Sequence, residues 1–418
     1  MTPDSEPFDE RLKFAPMPER NAVRISFNRP TFAGNELEYV RQALENSHTA
    51  GDGAFTKNCH AWLEARLGAP RALLTHSCTA AMEMAALLFE LEAGDEVILP
   101  SFTFPSTANA AVLRGAVPVF VDIRPDTLNI DERLIEAAIT PRTKAIFAVH
   151  YAGIACEMQA IMDIAARRGL WVMEDAAQAL MTRYRGRPLG SIGHLGAISF
   201  HETKNIISGE GGALIVNDPR FVERAEIVRE KGTNRSSFFR GEVDKYTWVD
   251  VGSSYLPSDL VAAFLYAQFE HAERLLAERR AIWRRYHDGF AALERAGVCR
   301  RPIVPDDCEH NAHLYYLLLV SREARDTVIA ELKAKGIQAP FHYVPLHSSP
   351  AGERYGRSCG DMRVTIATAD RLVRLPLWYG MTDEPDRIIA AVEDCLEQMR
   401  PGIDRAADWE TGRAASRR

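Results

Sequence analysis

The sequence predicts an α/β protein, with a mainly parallel seven-stranded sheet in a large domain and a smaller C-terminal α+β domain. Three observations predict it. Short apolar runs alternate with helical patterns between residues 70 and 217. Several of these runs are too continuously apolar to have a wet face, as in a parallel sheet covered by helices on both sides. After Pro302 the pattern changes to fewer, more widely spaced strands.

The seven strands read, in order, Arg71–Thr75, Glu96–Pro100, Val117–Asp122, Lys144–His150, Leu170–Asp175, Gly196–His201 and Gly212–Asn217. Between them lie helices at Thr79–Leu91, Ser106–Arg114, Asp131–Ala138 and Met158–Arg168, the first carrying Ala80, Met84, Ala85 and Leu88 at helical spacing. The uncharged run Val97–Leu113 contains Pro100, Ser101, Thr103, Pro105, Ser106, Thr107 and Asn109, so it reads as strand, loop and helix rather than a membrane span. A long helical region follows from Ser258 to Ala296, with Ser258 or Asp259 as N-cap and Gly297 as stop. Beyond Pro302 come strands His313–Val320 and Gln338–Tyr343 and helices Ala324–Lys335 and Pro385–Met399. This divides the chain into an N-terminal extension (1–24), a large domain (25–270), a small domain (271–400) and a polar tail (401–418).

Composition excludes several classes. The 418 residues carry 50 basic and 57 acidic side chains, a net charge of −7, which argues against nucleic acid as a partner. Hydrophobic residues at 46% and charged ones at 26% are globular values, excluding a disordered or fibrous chain. The seven cysteines (59, 78, 156, 299, 308, 359, 395) are dispersed and form no C-x-x-C pair, so neither a disulfide scaffold nor a zinc ribbon is expected. Met1–Arg20 has no apolar stretch of a secretory signal. Together these predict a soluble cytoplasmic protein with no membrane partner.

Ligands of parallel sheets bind beyond the carboxyl ends of the strands. There, Leu170–Met173 runs into Glu174-Asp175, and Ala197–Phe200 runs into His201-Glu202-Thr203-Lys204. A third element is the small-residue turn Thr75-His76-Ser77-Cys78-Thr79-Ala80-Ala81 between a strand and an apolar helix. Such a helix start offers free N–H groups and a positive dipole end to a phosphate, with Ser77 and Thr79 hydroxyls as extra donors. A phosphate cradle, a strand-end carboxylate and a strand-end lysine in one sheet point to pyridoxal phosphate, the lysine as Schiff-base former and the carboxylate as partner of the pyridine nitrogen.

Glu174-Asp175-Ala176-Ala177-Gln178, Lys204 in Ser-Phe-His-Glu-Thr-Lys-Asn, and Gly209-Glu210-Gly211-Gly212 resemble the DegT/DnrJ/StrS sugar-nucleotide aminotransferase family, over about Ile25 to Met399. The resemblance implies a fold-type-I pyridoxal phosphate transferase that passes through pyridoxamine phosphate. Gly51-Asp52-Gly53, Pro100–Phe104, His150–Gly153, Lys231–Arg235 and His342–His347 are most similar to the branch that aminates a dTDP-4-keto-6-deoxyhexose with L-glutamate. That branch makes dTDP-4-amino-4,6-dideoxygalactose for enterobacterial common antigen, placing the chain in lipopolysaccharide-type sugar biosynthesis.

Residue by residue, the resemblance implies Lys204 as the catalytic Schiff-base lysine, Asp175 beside the pyridine nitrogen and Gln178 near the phenolic oxygen. Phe104 matches the aromatic stacked on the cofactor face, or else a core aromatic. Cys78, Thr79 and Ser199 match the phosphate site, with Cys78 standing where many relatives have glycine. Asn234 matches an asparagine lent by the neighbouring subunit of a homodimer with shared active sites, or else a turn residue. His342 and Tyr343 are implied to face the sugar nucleotide, with Arg235 and Arg240 available to its diphosphate.

Rival motifs fail on their own terms. His201-Glu202-Thr203-Lys204-Asn205 lacks the second histidine of a zinc helix. Cys308, His310 and His313 have no second Cys/His cluster, so no metal is expected. Gly190, Gly193 and Gly196 do not match a dinucleotide fingerprint. A sugar dehydratase would carry histidine at position 204, and a non-catalytic binding protein would not need Lys204, Asp175 and Gln178 together.

Overall fold

A computed structural model of the chain describes residues 25–399, and the expected extension (1–24) and polar tail (401–418) lie outside the described residues. Its strands in chain order are β1 (Arg71–Thr75), β2 (Glu96–Pro100), β3 (Val117–Val121), β4 (Thr143–Val149), β5 (Trp171–Asp175), β6 (Arg183–Tyr184), β7 (Arg187–Pro188), β8 (Leu195–Ser199), β9 (Gly212–Val216), β10 (Cys299–Arg300), β11 (Cys308–Glu309), β12 (Tyr315–Leu319), β13 (Arg357–Cys359) and β14 (Leu372–Leu375). All seven sequence-predicted strands of the large sheet are present to within two residues.

The sheet nevertheless has eight strands, in the order β1-β9-β8-β5-β4-β2-β3-β13. The eighth, β13, is parallel to β3 and comes from the C-terminal part of the chain. Arg-Ser-Cys carries no apolar run, so sequence patterning could not reveal it. A buried carboxylate helps to hold it instead: Glu96 accepts hydrogen bonds from Arg357 Nη2 (2.8 Å), Arg142 Nη2 (2.7 Å) and Thr140 Oγ1 (2.7 Å). The Arg357 guanidinium, ahead of the opposing effect of burial, lowers the Glu96 pKa to about 2.

Every neighbouring pair is parallel except those of β9, which runs antiparallel to both β1 and β8. Gly212, the first residue of β9, therefore pairs with Thr75 at the end of β1 and with Ser199 at the end of β8. The start of one strand joins the ends of the others at a single sheet edge. Alternate strand residues feed two cores: Val172 and Ile198 face one, Met173 and Ala197 the other. Both faces are dry, as the continuous apolar runs predict.

The helix Met158–Arg168 has its predicted bounds and ends at Gly169, whose φ of 66° is one that glycine adopts without a side-chain clash. The single long helix expected from Ser258 to Ala296 is instead three, Asp259–Glu270, Ala272–Gly289 and Ala291–Arg295. Ser258 caps the first. Ala262, Leu265 and Phe269 pack in the large-sheet core, whereas Ile282, Trp283 and Tyr286 pack in a third core further on. Past the break at His271, Ala272 and Leu275 still pack in the large-sheet core, so the second helix carries the chain from one core to the next.

That third core surrounds a small antiparallel sheet, β10-β12-β14. The strand expected at Gln338–Tyr343 is not formed; only Phe341 bridges to Val373. Pro340 has no N–H to give a ladder, and β14 takes the place beside β12. A ribbon of β11, β6 and β7 completes the sheets. All seven cysteines are free thiols. No helix among the described residues is long and apolar enough to cross a membrane.

Candidate active site

The sheet edge opens into a cavity of about 1040 Å³, at the upper end of the range for small-molecule sites. Cys78, Thr79, Phe104, Asp175, Gln178, Ser199, Lys204, His342 and Tyr343 all line it. Asn234 and Arg235 are not among its lining residues.

One wall is the start of the helix Cys78–Leu88. Ser77 caps it, its Oγ accepting from Ala80 N at 3.1 Å, and the first N–H groups of any helix have no partner within it. Thr79 Oγ1 lies 2.8 Å from Ser106 Oγ. Gly212 passes so close beneath that a Cβ there would overlap Cys78 N, which explains a glycine at that position. The Cys78 side chain is itself buried in the core, and burial pushes its thiol well above the ordinary cysteine pKa.

Opposite stands the end of β5. Because strand neighbours point to opposite faces, Glu174 and Asp175 do different work. Glu174 is fully buried, accepts from the N–H groups of Gly190, Ile192 and Gly193 at 2.5–2.8 Å, and meets His150 Nε2 at 2.9 Å. It fixes the turn that leads into β8. Asp175 Oδ2 accepts from Thr107 Oγ1 at 2.7 Å and Oδ1 from Ala177 N at 3.2 Å. Gly190 and Gly193, spaced by threes in the sequence, thus serve the Glu174 turn.

Lys204 lies in the loop after β8, and its segment is not a helix. Burial lowers its pKa, with the charge of Arg374 acting in the same direction and Asp175 opposing. The loop is tied down by Asn205, whose Nδ2 donates to Asn311 O at 2.8 Å and whose Oδ1 lies 3.1 Å from His313 Nδ1. Cys308, His310 and His313 turn to separate partners: Ala155 N, Ala312 N and Asn205.

Gln178 Oε1 accepts from Ala152 N at 2.7 Å while its Nε2 donates to Tyr343 Oη at 3.0 Å. Tyr151 Oη is 3.0 Å from His342 Nδ1. Burial drives the His342 pKa well down and the Tyr343 pKa up, so both are neutral near pH 7. Phe104 is 59% exposed, which rules out the core-aromatic reading.

Asn234 starts the short helix Arg235–Phe239 and accepts from Thr247 N at 2.8 Å. Arg235 lies over the Phe239 ring, 5.1 Å from its centroid. Arg240 is engaged by Glu226 at 2.7 Å and Glu242 at 2.8 Å. Sequence reasoning missed other cavity residues, among them Phe27, Asn28, Arg279, His313 and Arg374. A usable signal was Arg374 itself, a charge interrupting the apolar run Leu372-Val373-Arg374-Leu375.

The donor set fits pyridoxal phosphate: helix N–H groups and hydroxyls for a phosphate, a strand-end carboxylate for a ring nitrogen, and a lysine of lowered pKa for the carbonyl carbon. Residues 30–393 match the model of the DegT/DnrJ/EryC1/StrS aminotransferase family. The chain belongs to that family. It is 34% identical over 382 residues to the spore coat polysaccharide biosynthesis protein SpsC of Bacillus subtilis, covering 89% of this chain and 97% of that one. It is 32% identical over 379 residues to the GDP-perosamine synthase of Caulobacter vibrioides, covering 89% and 98%. The PMP form of Spr1654 from Streptococcus pneumoniae superposes with a TM-score of 0.82 at 28% identity, over 89% of this chain and 99% of that one. The protein is a pyridoxal phosphate-dependent sugar aminotransferase, with pyridoxamine phosphate as the intermediate form of its cofactor.

Proposed function

We propose that this enzyme transfers the amino group of L-glutamate to C4 of a dTDP-4-keto-6-deoxyhexose, giving dTDP-4-amino-4,6-dideoxygalactose and 2-oxoglutarate. The observation that supports the chemistry is the convergence of Lys204, Asp175 and the start of the helix Cys78–Leu88 on one cavity, which His342 and Tyr343 enter from the C-terminal region.

When bound, the cofactor supplies an electron sink for the bond broken at the donor's α carbon. Asp175 would hold its ring nitrogen protonated, Gln178 would serve its phenolic oxygen, Phe104 would pack against its ring, and Cys78, Thr79 and Ser199 would hold its phosphate. Lys204 Nζ takes the proton from the donor's α carbon and, in the return half, delivers one to C4 of the sugar. A lowered pKa raises the fraction of neutral amine available for that task. His342 and Tyr343 face the sugar, and Arg235, beside Asn234 and outside this chain's own cavity, serves the diphosphate in the partner's site.

The working unit is a homodimer in which Asn234 enters the partner's cavity. The segment that follows Asn234 exposes Phe239, Tyr246 and Trp248, which supports a buried role for this surface in an assembly. Residues 25–270 form the cofactor-binding domain and 271–400 the smaller one, in a cytoplasmic protein serving surface-polysaccharide synthesis such as enterobacterial common antigen. A second reading, a GDP-linked ketosugar, is favoured by the name of the Caulobacter relative.

A spectral titration tests both. L-Glutamate should bleach the visible band of the loaded enzyme, and dTDP-4-keto-6-deoxyglucose should restore it. Restoration by a GDP-linked ketosugar alone would overturn the dTDP assignment. The configuration at C4 of the product, read by NMR, decides the galactose assignment.

A further inference from the structure

We infer that His313 reads the C3 hydroxyl of the ketosugar through its Nε2, a specificity contact that rests on the proposed acceptor reaction and deepens it. Backbone bonds fix the place of His313. Its N–H donates to Asn311 Oδ1 at 3.0 Å and its carbonyl accepts from Arg279 Nη2 at 2.7 Å, two residues before β12 begins. The residue lines the cavity.

Its neighbours decide which ring nitrogen carries the proton. Asn205 Nδ2 donates to Asn311 O at 2.8 Å, and because a carbonyl only accepts, this end of the Asn205 amide is its nitrogen. The other end, Oδ1, accepts at 3.1 Å from His313 Nδ1, which therefore holds the proton. Burial first, then the charges of Lys204, Arg279 and Arg374, holds the His313 pKa well below 6.5, so the ring is neutral at pH 7. In a neutral ring with Nδ1 protonated, Nε2 is a lone-pair acceptor. It has no partner among the described residues and is open to the cavity. His342 differs: its Nδ1 meets the Tyr151 hydroxyl at 3.0 Å, which can give or take the proton, so neither of its nitrogens is assigned.

An acceptor selects a donor. The carboxylates of L-glutamate only accept, and its amine is the group transferred, so neither suits a lone pair. The sugar does carry donors. Of the two ring atoms beside C4, C5 bears a methyl group and the ring oxygen, whereas C3 bears a hydroxyl. C4 is the carbon that Lys204 serves, and Lys204 stands close enough to His313 for its charge to act on the ring. The C3 hydroxyl is thus the sugar donor that falls nearest Nε2. Once the sugar has displaced water from the cavity, an analogue without that hydroxyl leaves Nε2 unpaired, which is the basis of rejection.

The test compares dTDP-4-keto-6-deoxyglucose with its 3-deoxy analogue, on the loaded enzyme and on His313→Asn. Asparagine keeps an amide N–H where Nδ1 holds Asn205 and removes the acceptor at Nε2. Wild type should prefer the 3-hydroxy sugar about 10- to 100-fold in kcat/KM. In His313→Asn that preference should collapse through a fall on the 3-hydroxy sugar, while bleaching by L-glutamate keeps its wild-type rate. A wild type that uses both sugars equally would overturn the inference without any variant. So would a variant that slows both sugars, or the glutamate step, to the same degree, because His313 would then act only by holding the Lys204 loop. Should His313→Asn fail to fold, His313→Gln, which places an amide oxygen near the Nε2 position, is measured instead: a retained preference supports the contact and a lost one overturns it. Failure of the acceptor assignment looks different, because neither dTDP sugar would then restore the visible band, and the same pair carried on GDP repeats the comparison.

Discussion

Thr107 Oγ1 donates to Asp175 Oδ2 at 2.7 Å, and Thr103 Oγ1 stands 3.0 Å behind it. The carboxylate at the end of β5 is thus oriented by a hydroxyl from the helix Pro105–Val112, which starts just past the end of β2. Thr107→Val removes that donor while keeping the shape of the side chain. We expect kcat to fall about 10-fold, the cost of one hydrogen bond to a charged group, with thermal stability little changed. Asp175→Asn should lose far more. Equal kcat for Thr107→Val and wild type would show that the hydroxyl does not position the carboxylate.

Lys204 should gain reactivity from its surroundings. Burial lowers its pKa below the ordinary 10.5, so the neutral amine appears at lower pH than on a free lysine. The rate at which apoenzyme captures pyridoxal phosphate should rise with pH and level off at a midpoint below 10.5. Lys204→Ala should bind cofactor without covalent attachment and show no turnover. Retained turnover in that variant would remove Lys204 from the mechanism.

Gly212 is fixed by a close approach. Its added Cβ would overlap Cys78 N and the Ser77 carbonyl carbon, both backbone atoms that cannot swing away. Gly212→Ala should destabilise the protein by about 1–3 kcal/mol through overpacking. It should also weaken cofactor affinity, because the strand would push on the helix start. A melting curve and a cofactor titration give the two numbers. Loss of stability with normal cofactor affinity would mean that the helix start tolerates the shift.

Glu230 gives the fold a pH dependence. Burial first, then the neighbouring Asp52, raises its pKa from 4.5 to about 7. The folded state holds the proton more tightly than the unfolded one, so this contribution is complete below pH 4.5. It is lost as pH rises from about 4.5 to 7. Asp52, lowered to about 2 by Arg229 and hydrogen bonds against burial, acts in the opposite sense and only below about pH 4. Glu230→Gln should therefore gain stability over wild type as pH rises from 4.5 to 7. Parallel melting profiles of the two proteins across that range would contradict it.

Much of this was legible before the fold. Strand positions could be read because residues buried on both sheet faces form continuous apolar runs, as in Val119–Val121 and Ile146–Val149. Lys204, Asp175 and the Ser77–Thr79 turn could be read because each follows the end of such a run, whereas Gln178 was reached through the family resemblance. By contrast, β13 and β14 carry Arg357 and Arg374, so their pattern is not that of a buried strand. The break at His271 has no glycine or proline to announce it.

The sequence by itself determined the residue types for the chemistry, the alternation that builds a parallel sheet, and the family. Tertiary structure alone decided which of those residues meet. Strand order, with antiparallel β9 inserted between β1 and β8, brings Gly212 against Ser77 and places the helix start beside Ser199. It also carries Arg374, 170 residues beyond Lys204 in the chain, into the same cavity, and leaves Asn234 outside it. Local pattern encodes which face of an element is dry, because burial follows the period of the element. Convergence depends on contacts between elements far apart in sequence, which no period records.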